Sequence, residues 1–157
     1  MRFYFHIMES GTHIRLIFGR AAKSIEQFDR ASIADTGLHP TDFMILEALL
    51  HKGPLPINTI GEKVLLTSGS MTAAADRLEK KGLVERIRDT ADGRYFYLHL
   101  TGPGRRLIKR AFEKHSQNLE KIADVLTGDE RAELVRLLKK IGRHAQRVVK
   151  KSLLKSR

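Results

Sequence analysis

The chain has 157 residues, 41% of them hydrophobic, and a formal net charge of +11, enough for one globular unit with a modest core. It has no cysteine, which excludes disulfides, thiolate metal sites and thiol redox switches and suits a reducing, cytoplasmic setting. No apolar run approaches the roughly 20 residues of a membrane-spanning helix, and a positive excess of this size points to a polyanionic partner, most often nucleic acid.

The opening MRFYFHIMES is too short and too polar for a secretory signal and reads as an N-terminal arm. Over residues 12–33, Ile14, Ile17, Phe18, Ala21, Ile25 and Phe28 recur at helical spacing and predict a long amphipathic helix. Gly37 and Pro40 break it. A short helix over 41–50 turns Phe43, Leu46, Leu49 and Leu50 inward, and HKGPLP at 51–56 is punctuation. A third helix over 57–66 is anchored by Ile57, Ile60 and Val64. The TSG that follows leads into a fourth helix, which ends at Lys81-Gly82, with the glycine suited to a left-handed cap. Leu83–Arg88 and Tyr95–Leu100 read as two strands of a hairpin turned at Asp92-Gly93.

Thr101-Gly102-Pro103 stops the hairpin, and two helices close the chain. The first carries a stripe of Ile108, Ala111, Phe112, His115, Leu119, Ile122 and Leu126. Thr127 and Glu130 have the spacing of a capping box at the start of the second. Its stripe of Leu134, Leu137, Leu138, Ile141, Ala145, Val148 and Val149 runs over about 15 residues, longer than a small domain needs for its own core. A stripe without a partner inside the chain predicts a second subunit. Ile14, Leu119, Ile122, Leu134, Leu137, Ile141 and Ala145 are the candidate homodimer contacts. The expected organisation is an arm and first dimerisation helix at 1–36, a helix-turn-helix with a hairpin wing at 37–101 and dimerisation helices at 102–157. The fold class is therefore mainly α with a small β-hairpin wing.

Residues 65–87, LLTSGSMTAAADRLEKKGLVERI, hold the most informative chemistry. Stepping about 100° per residue from Met71 places Ala74, Ala75 and Leu78 on one narrow buried face and Gly69, Ala73, Asp76, Arg77 and Lys80 opposite. Taken alone, such a segment fits an ordinary surface helix better than a binding element. Its context changes the balance, because a helix and a tight turn precede it and a hairpin follows. A major groove admits one helix and is read by the residues near that helix's N-terminus. Thr67 or Ser68 can cap the helix, whose first-turn N–H groups favour a phosphate. Ser70 and Thr72 can meet base edges, Gly69 and Ala73 keep the face thin, and Arg77 and Lys80 can reach phosphate or guanine. Arg94 at the hairpin tip suits a narrow minor groove, and Arg88 lies on the first strand of the wing.

These pieces together resemble the MarR family of bacterial transcription regulators. The resemblance rests on LEKKGLVER at 78–86, the D-x-x-D-G-R of Asp89 to Arg94 and the LT-x-x-G at 100–104, in that order and spacing, and it extends over about residues 12–150. It implies a homodimer on double-stranded DNA at a pseudo-palindromic operator, with repression the expected direction. It implies a recognition helix at about 68–81, and Arg94 as the wing arginine with Asp92 orienting it. The family is often gated by small aromatic or anionic effectors bound where dimer helices meet the winged domain; His13, Ile17, Phe43 and His115 are the candidates here. The chain departs from the pattern at Gly93, where a first wing arginine is usual, at Gly61, where alanine is common, and at Leu65, where a turn glycine is common.

None of the seven histidines forms HxH, HExxH or an i,i+4 pair, so no metal or other cofactor is expected. His115, on an apolar stripe, reads first as a hydrogen-bonded core or interface histidine. No nucleophile elbow, P-loop or dinucleotide-binding pattern occurs, which argues against an enzyme. The basic amphipathic stretch at 131–155 fits a membrane surface less well than pairing between helices. A second reading stays open: a basic winged-helix protein that binds DNA architecturally, or RNA, without an operator.

Overall fold

The computed structural model describes residues 10–64, 66–90 and 95–155. Helix α1 (Gly11–Ile33) begins at Ser10, whose hydroxyl accepts from the His13 N–H. A short 3-10 turn (Ala34–Thr36) ends at Gly37, with φ at 66°. Helix α2 (Pro40–Lys52) starts with proline in its first turn, where no intrahelical N–H is lost, and its N-cap is His39. Next come β1 (Leu55–Pro56), α3 (Ile57–Lys63), α4 (Ser68–Lys80), β2 (Val84–Arg88) and β3 (Phe96–Leu100). Helices α5 (Gly102–Ala123) and α6 (Gly128–Lys155) complete the chain. The helix, helix-turn-helix and hairpin order expected from periodicity is the order found.

The strand β1 is an addition to the hairpin. It pairs antiparallel with β3, Leu55 opposite Leu98, so the sheet runs β1-β3-β2. HKGPLP reads as punctuation because proline lacks a donor, yet Pro56 is tolerated at a sheet edge.

The described residues group into two compact units, one ending at Gln117 and the other beginning at Asn118. The first has one core. Ile45, Leu46 and Leu49 of α2 pack with Ile60, Met71, Leu78 and Leu98. The same cluster takes in Ile33 from α1 and Ile108 and Ala111 from α5, so this unit runs past the boundaries at 36/37 and 101/102 read from the sequence. In the second unit Thr127 and Glu130 form the expected capping box: the Thr127 N–H donates to Glu130 Oε2 at 2.8 Å and the Glu130 N–H to Thr127 Oγ1 at 3.4 Å. Donation from Thr127 holds the Glu130 carboxyl below its ordinary value. Arg131 ties the same corner together, at 2.7 Å from Glu120 and 2.8 Å from Asp124.

Gly61 sits inside α3 where it meets α4. An added Cβ would stand 3.5 Å from the Met71 side chain, ordinary van der Waals contact. Gly61→Ala is therefore expected to stabilise the protein by about 0.5–1 kcal/mol, the helix-propensity difference. Urea unfolding read by circular dichroism checks this, and a loss of stability would mean that the α3–α4 contact is tighter than its geometry.

Candidate nucleic-acid interface

The helix-turn-helix is built from α3, α4 and the short link between them, of which Leu65 lies outside the described residues. The Leu66 N–H donates to the Gly61 carbonyl at 2.9 Å, folding the turn back on α3. Thr67 is the N-cap of α4: its hydroxyl accepts from the Ser70 N–H at 3.3 Å and donates to Ser70 Oγ at 2.9 Å. Of the two caps the sequence allowed, Thr67 takes the role. The first turn of α4 then presents Ser68, Gly69, Ser70, Thr72 and Ala73, all exposed. Thr72 donates its hydroxyl to the Ser68 carbonyl at 3.0 Å, and the residue stays exposed with its oxygen still able to accept. Nothing lies within 4 Å of a Cβ built on Gly69, so this stretch of surface is open to a close approach. Lys80 is also exposed.

Behind that face Met71, Ala74, Ala75 and Leu78 are buried, the narrow inner side that the periodicity predicts. Arg77 does not point where the sequence put it. Its guanidinium lies on Asp42 of α2, with Nε 3.1 and 3.0 Å from the two carboxylate oxygens and Nη2 2.5 Å from Oδ1. Asp42 is fully buried, and Lys81 stands 3.7 Å from its Oδ2. Hydrogen bonding to that carboxylate raises the Arg77 guanidinium above its ordinary pKa. The expectation that Arg77 reaches phosphate or guanine thus meets a competing fact: its charge is already neutralised by an internal partner. A one-helix periodicity argument misses this because Asp42 is 35 residues away.

A second clamp joins α4 to the hairpin. Arg86 on β2 reaches Asp76 at 2.5 Å and Glu79 at 3.1 Å, and its own N–H donates to Glu79. Neither Asp42 nor Arg86 stands out in the sequence as a site residue. The clue available there was Asp76 and Glu79 near a basic strand, which reads equally as solvated charge. Arg88 is exposed at the end of β2, in register with Phe96. Asp92 and Arg94, and the turn between the strands, lie outside the described residues.

A groove of about 430 Å³ opens beside the α4 N-terminus, between Asn58 and Glu62 of α3, Ser68 and Thr72 of α4, and Tyr95 and Phe96 at the turn end of the hairpin. Tyr95 and Phe96 are exposed aromatics.

The comparisons with known proteins agree on what carries this geometry. Residues 38–96, which span the helix-turn-helix and most of the hairpin, match the model of the MarR family. The HTH-type transcriptional regulator YkoM of Bacillus subtilis is 33% identical over 142 residues, covering 90% of this chain and 92% of that protein. MhqR, an HTH-type transcriptional regulator of the same organism, is 34% identical over 138 residues, covering 88% of this chain and 95% of its own. The chain belongs to the MarR family. Among solved structures, that of NadR in complex with 4-hydroxyphenylacetate superposes with a TM-score of 0.68 at 27% identity, over 85% of this chain and 93% of NadR.

This MarR-family chain is a DNA-binding transcriptional regulator with a winged helix, and not an enzyme. Among the described residues no helix is long and apolar enough to cross a membrane, and no group of three metal-binding side chains converges.

Of the effector-pocket candidates, the structure brings Phe43 and His115 together. Their rings meet edge-on with centroids 5.0 Å apart. His115 is buried, its Nδ1 3.1 Å from Ser32 Oγ and its Nε2 4.0 Å from Asp29 Oδ1. That is the hydrogen-bonded core histidine read first from the sequence. His13 is half-buried at the start of α1 and Ile17 is exposed further along it. Of the dimer candidates, Ile14, Leu134, Leu137, Ile141 and Ala145 are exposed, while Leu119 and Ile122 are half-buried.

Proposed function

We propose that this regulator is a cytoplasmic homodimeric repressor of a pseudo-palindromic operator, released by a small aromatic or anionic effector. The observation that carries the reading is the asymmetry of α4. Its inner side is fixed by apolar packing and by the Asp42 and Arg86 ion pairs, while Thr67, Ser68, Gly69, Ser70, Thr72 and Ala73 stay exposed at its N-terminal end. A rigid helix with a thin, hydroxyl-bearing face suits a major groove. Lys80 and Arg88 then serve as phosphate contacts, and Arg94, oriented by Asp92, serves the flanking minor groove. Arg77 acts as a positioning residue. The 1–36, 37–101 and 102–157 segments take the dimerising, DNA-binding and dimerising roles, with Ile108 and Ala111 also part of the winged core.

Two copies account for the apolar stripe of α6, where Leu134, Leu137 and Ile141 are 44%, 46% and 53% exposed. An exposed stripe of this length favours a second subunit over solvent. Sedimentation at micromolar concentration should therefore give twice the 17.8 kDa of the chain, and a single-chain mass would remove the two-fold reading of an operator. Support for an effector comes from NadR, solved with 4-hydroxyphenylacetate, and from the Phe43–His115 pair, an aromatic edge beside an imidazole. Effector and operator are linked: a ligand preferring the wrong helix spacing weakens DNA binding by that same preference.

Selection of bound fragments from genomic DNA, followed by a footprint, tests the proposal, because an operator must show two-fold symmetry with half-sites about 10 base pairs apart. Ser70→Ala and Thr72→Ala are expected to cost about 1–3 kcal/mol at cognate bases. Titration on the selected site and on random duplex checks this, since equal losses on both would make these hydroxyls phosphate contacts. A competition titration separates the architectural reading: an operator-binding regulator prefers its site by about a thousandfold or more.

A further inference from the structure

The last third of the chain holds 16 basic and 6 acidic side chains, a net +10, and the operator-reading helix uses none of that excess. Helix α6 shows how it is arranged. Its acidic residues, Asp129, Glu130 and Glu133, all fall in the first two turns, and no Asp or Glu follows from 134 to 157. Glu133 pairs with Arg136 at 2.5 Å. Among the described residues no carboxylate pairs with Lys139, Arg143, Arg147, Lys150 or Lys151, and all five are exposed. At about 100° per residue, Arg136, Lys139, Lys140, Arg143, Arg147, Lys150 and Lys151 fall within an arc of roughly 140°. The apolar residues of the same helix, Leu134 to Val149, fall on the opposite arc. From residue 134 onward one face is apolar and the other carries cations and no carboxylate.

Such a face is unfavourable without a partner. Like charges three and four residues apart repel, and this face has Lys139–Arg143, Arg143–Arg147 and Arg147–Lys151 at that spacing. The helix dipole compensates cations only in the last turn, which leaves Lys139 to Arg143 unexplained by it. From Arg136 to Lys151 the helix rises about 22 Å, so its cations come on average about every 4 Å, comparable to the 3.4 Å per phosphate along one DNA strand.

We propose that the cationic face of α6 is a second, sequence-independent nucleic-acid surface that takes the phosphate backbone of duplex DNA. A bilayer suits it less: a helix lying in a membrane would bury its apolar face in lipid, and that is the face the proposed second subunit takes. The surface acts apart from operator reading, and its apolar side remains free for a second subunit.

The test compares the full chain with the variant Lys139→Gln, Arg143→Gln, Arg147→Gln, Lys150→Gln on a random-sequence duplex of about 30 base pairs, from about 50 to 200 mM salt. The wild type should show the steeper loss of affinity, and the variant a slope shallower by about 3 to 4 per subunit at 0.9 per neutralised phosphate. Independently, acetylation of wild-type lysines mapped by mass spectrometry should show Lys139, Lys140, Lys150 and Lys151 protected at saturating duplex, with Lys23 of α1 as reference. An unchanged slope, or those four lysines labelled as fast with duplex as without it, overturns the proposal. Protection by phosphatidylglycerol vesicles and not by duplex overturns it in favour of a lipid partner. Because operator selection is scored on a different DNA, failure here leaves the repressor reading standing, and the reverse also holds.

Discussion

Gly104→Val is expected to destabilise the winged unit by about 3 kcal/mol or more and to lower the Tm by about 6–12 °C in a chain of this length. The third residue of α5 runs against the corner between α4 and β2. A Cβ at Gly104 would lie 1.9 Å from the Leu83 carbonyl oxygen and 2.8 Å from its carbon. Those are backbone atoms, so no rotamer change relieves the overlap. Leu83 cannot retreat cheaply either. Its carbonyl accepts from the Thr101 N–H at 3.1 Å, and the Thr101 hydroxyl donates to the Gly82 carbonyl at 2.7 Å while accepting from the Gly104 N–H at 3.1 Å. Gly82 itself holds φ at 66°, where a side chain is strained. Moving α5 away would break this set and draw Ile108 and Ala111 out of the core. Gly142→Ala is the control: nothing lies within 4 Å of its Cβ, so it should be neutral or mildly stabilising. Thermal unfolding by circular dichroism reads both, and a Gly104→Val protein melting with its parent would mean that α5 does not sit on this corner in solution.

The same residues show what a single sequence discloses. LT-x-x-G was visible as a motif at 100–104, but its reason was not, because the carbonyl it must clear belongs to a different element. The helices were legible because each carries its own period: α1 was expected over 12–33 and runs Gly11–Ile33, and the fourth helix was expected to end at Lys81-Gly82 and ends at Lys80. Gly82 was expected in a left-handed cap and has that conformation. What escaped was non-local. The pairing of Leu55 with Leu98 crosses α3, α4 and β2, so a two-residue strand that is half proline gives no strand signal of its own. His115 and Phe43 were placed together by the resemblance, and the structure supplies the contact. Ser32 and Asp29, which also flank His115, were hidden because their part of α1 reads only as polar helix surface. The outward phase of Arg77 was sound as geometry, yet a long side chain sweeps further than the arc its Cα occupies, and it bends back to a carboxylate on α2.

That contact sets the second large expectation. Arg77→Ala should cost about 3 kcal/mol of stability, near the lower end for breaking a buried ion pair by removing one partner. The cost comes mainly from Asp42, which is fully buried and would keep only Lys81, 3.7 Å away and itself 41% exposed. A carboxylate in that position loses hydration without recovering equivalent hydrogen bonds. Arg77→Lys should recover only part of the loss, because an ammonium cannot reproduce the two-oxygen grip of a guanidinium. The DNA readout then separates positioning from contact. If Arg77 only holds α4 against α2, the alanine variant, measured where it is still folded, loses affinity for the selected operator while its salt slope stays that of the parent. If Arg77 instead neutralises a phosphate, the slope falls by about one per subunit and random duplex loses as much as the operator does. The geometry favours the first outcome, since Nε and Nη2 of the guanidinium already share both oxygens of Asp42 and that carboxylate compensates the charge a phosphate would otherwise attract.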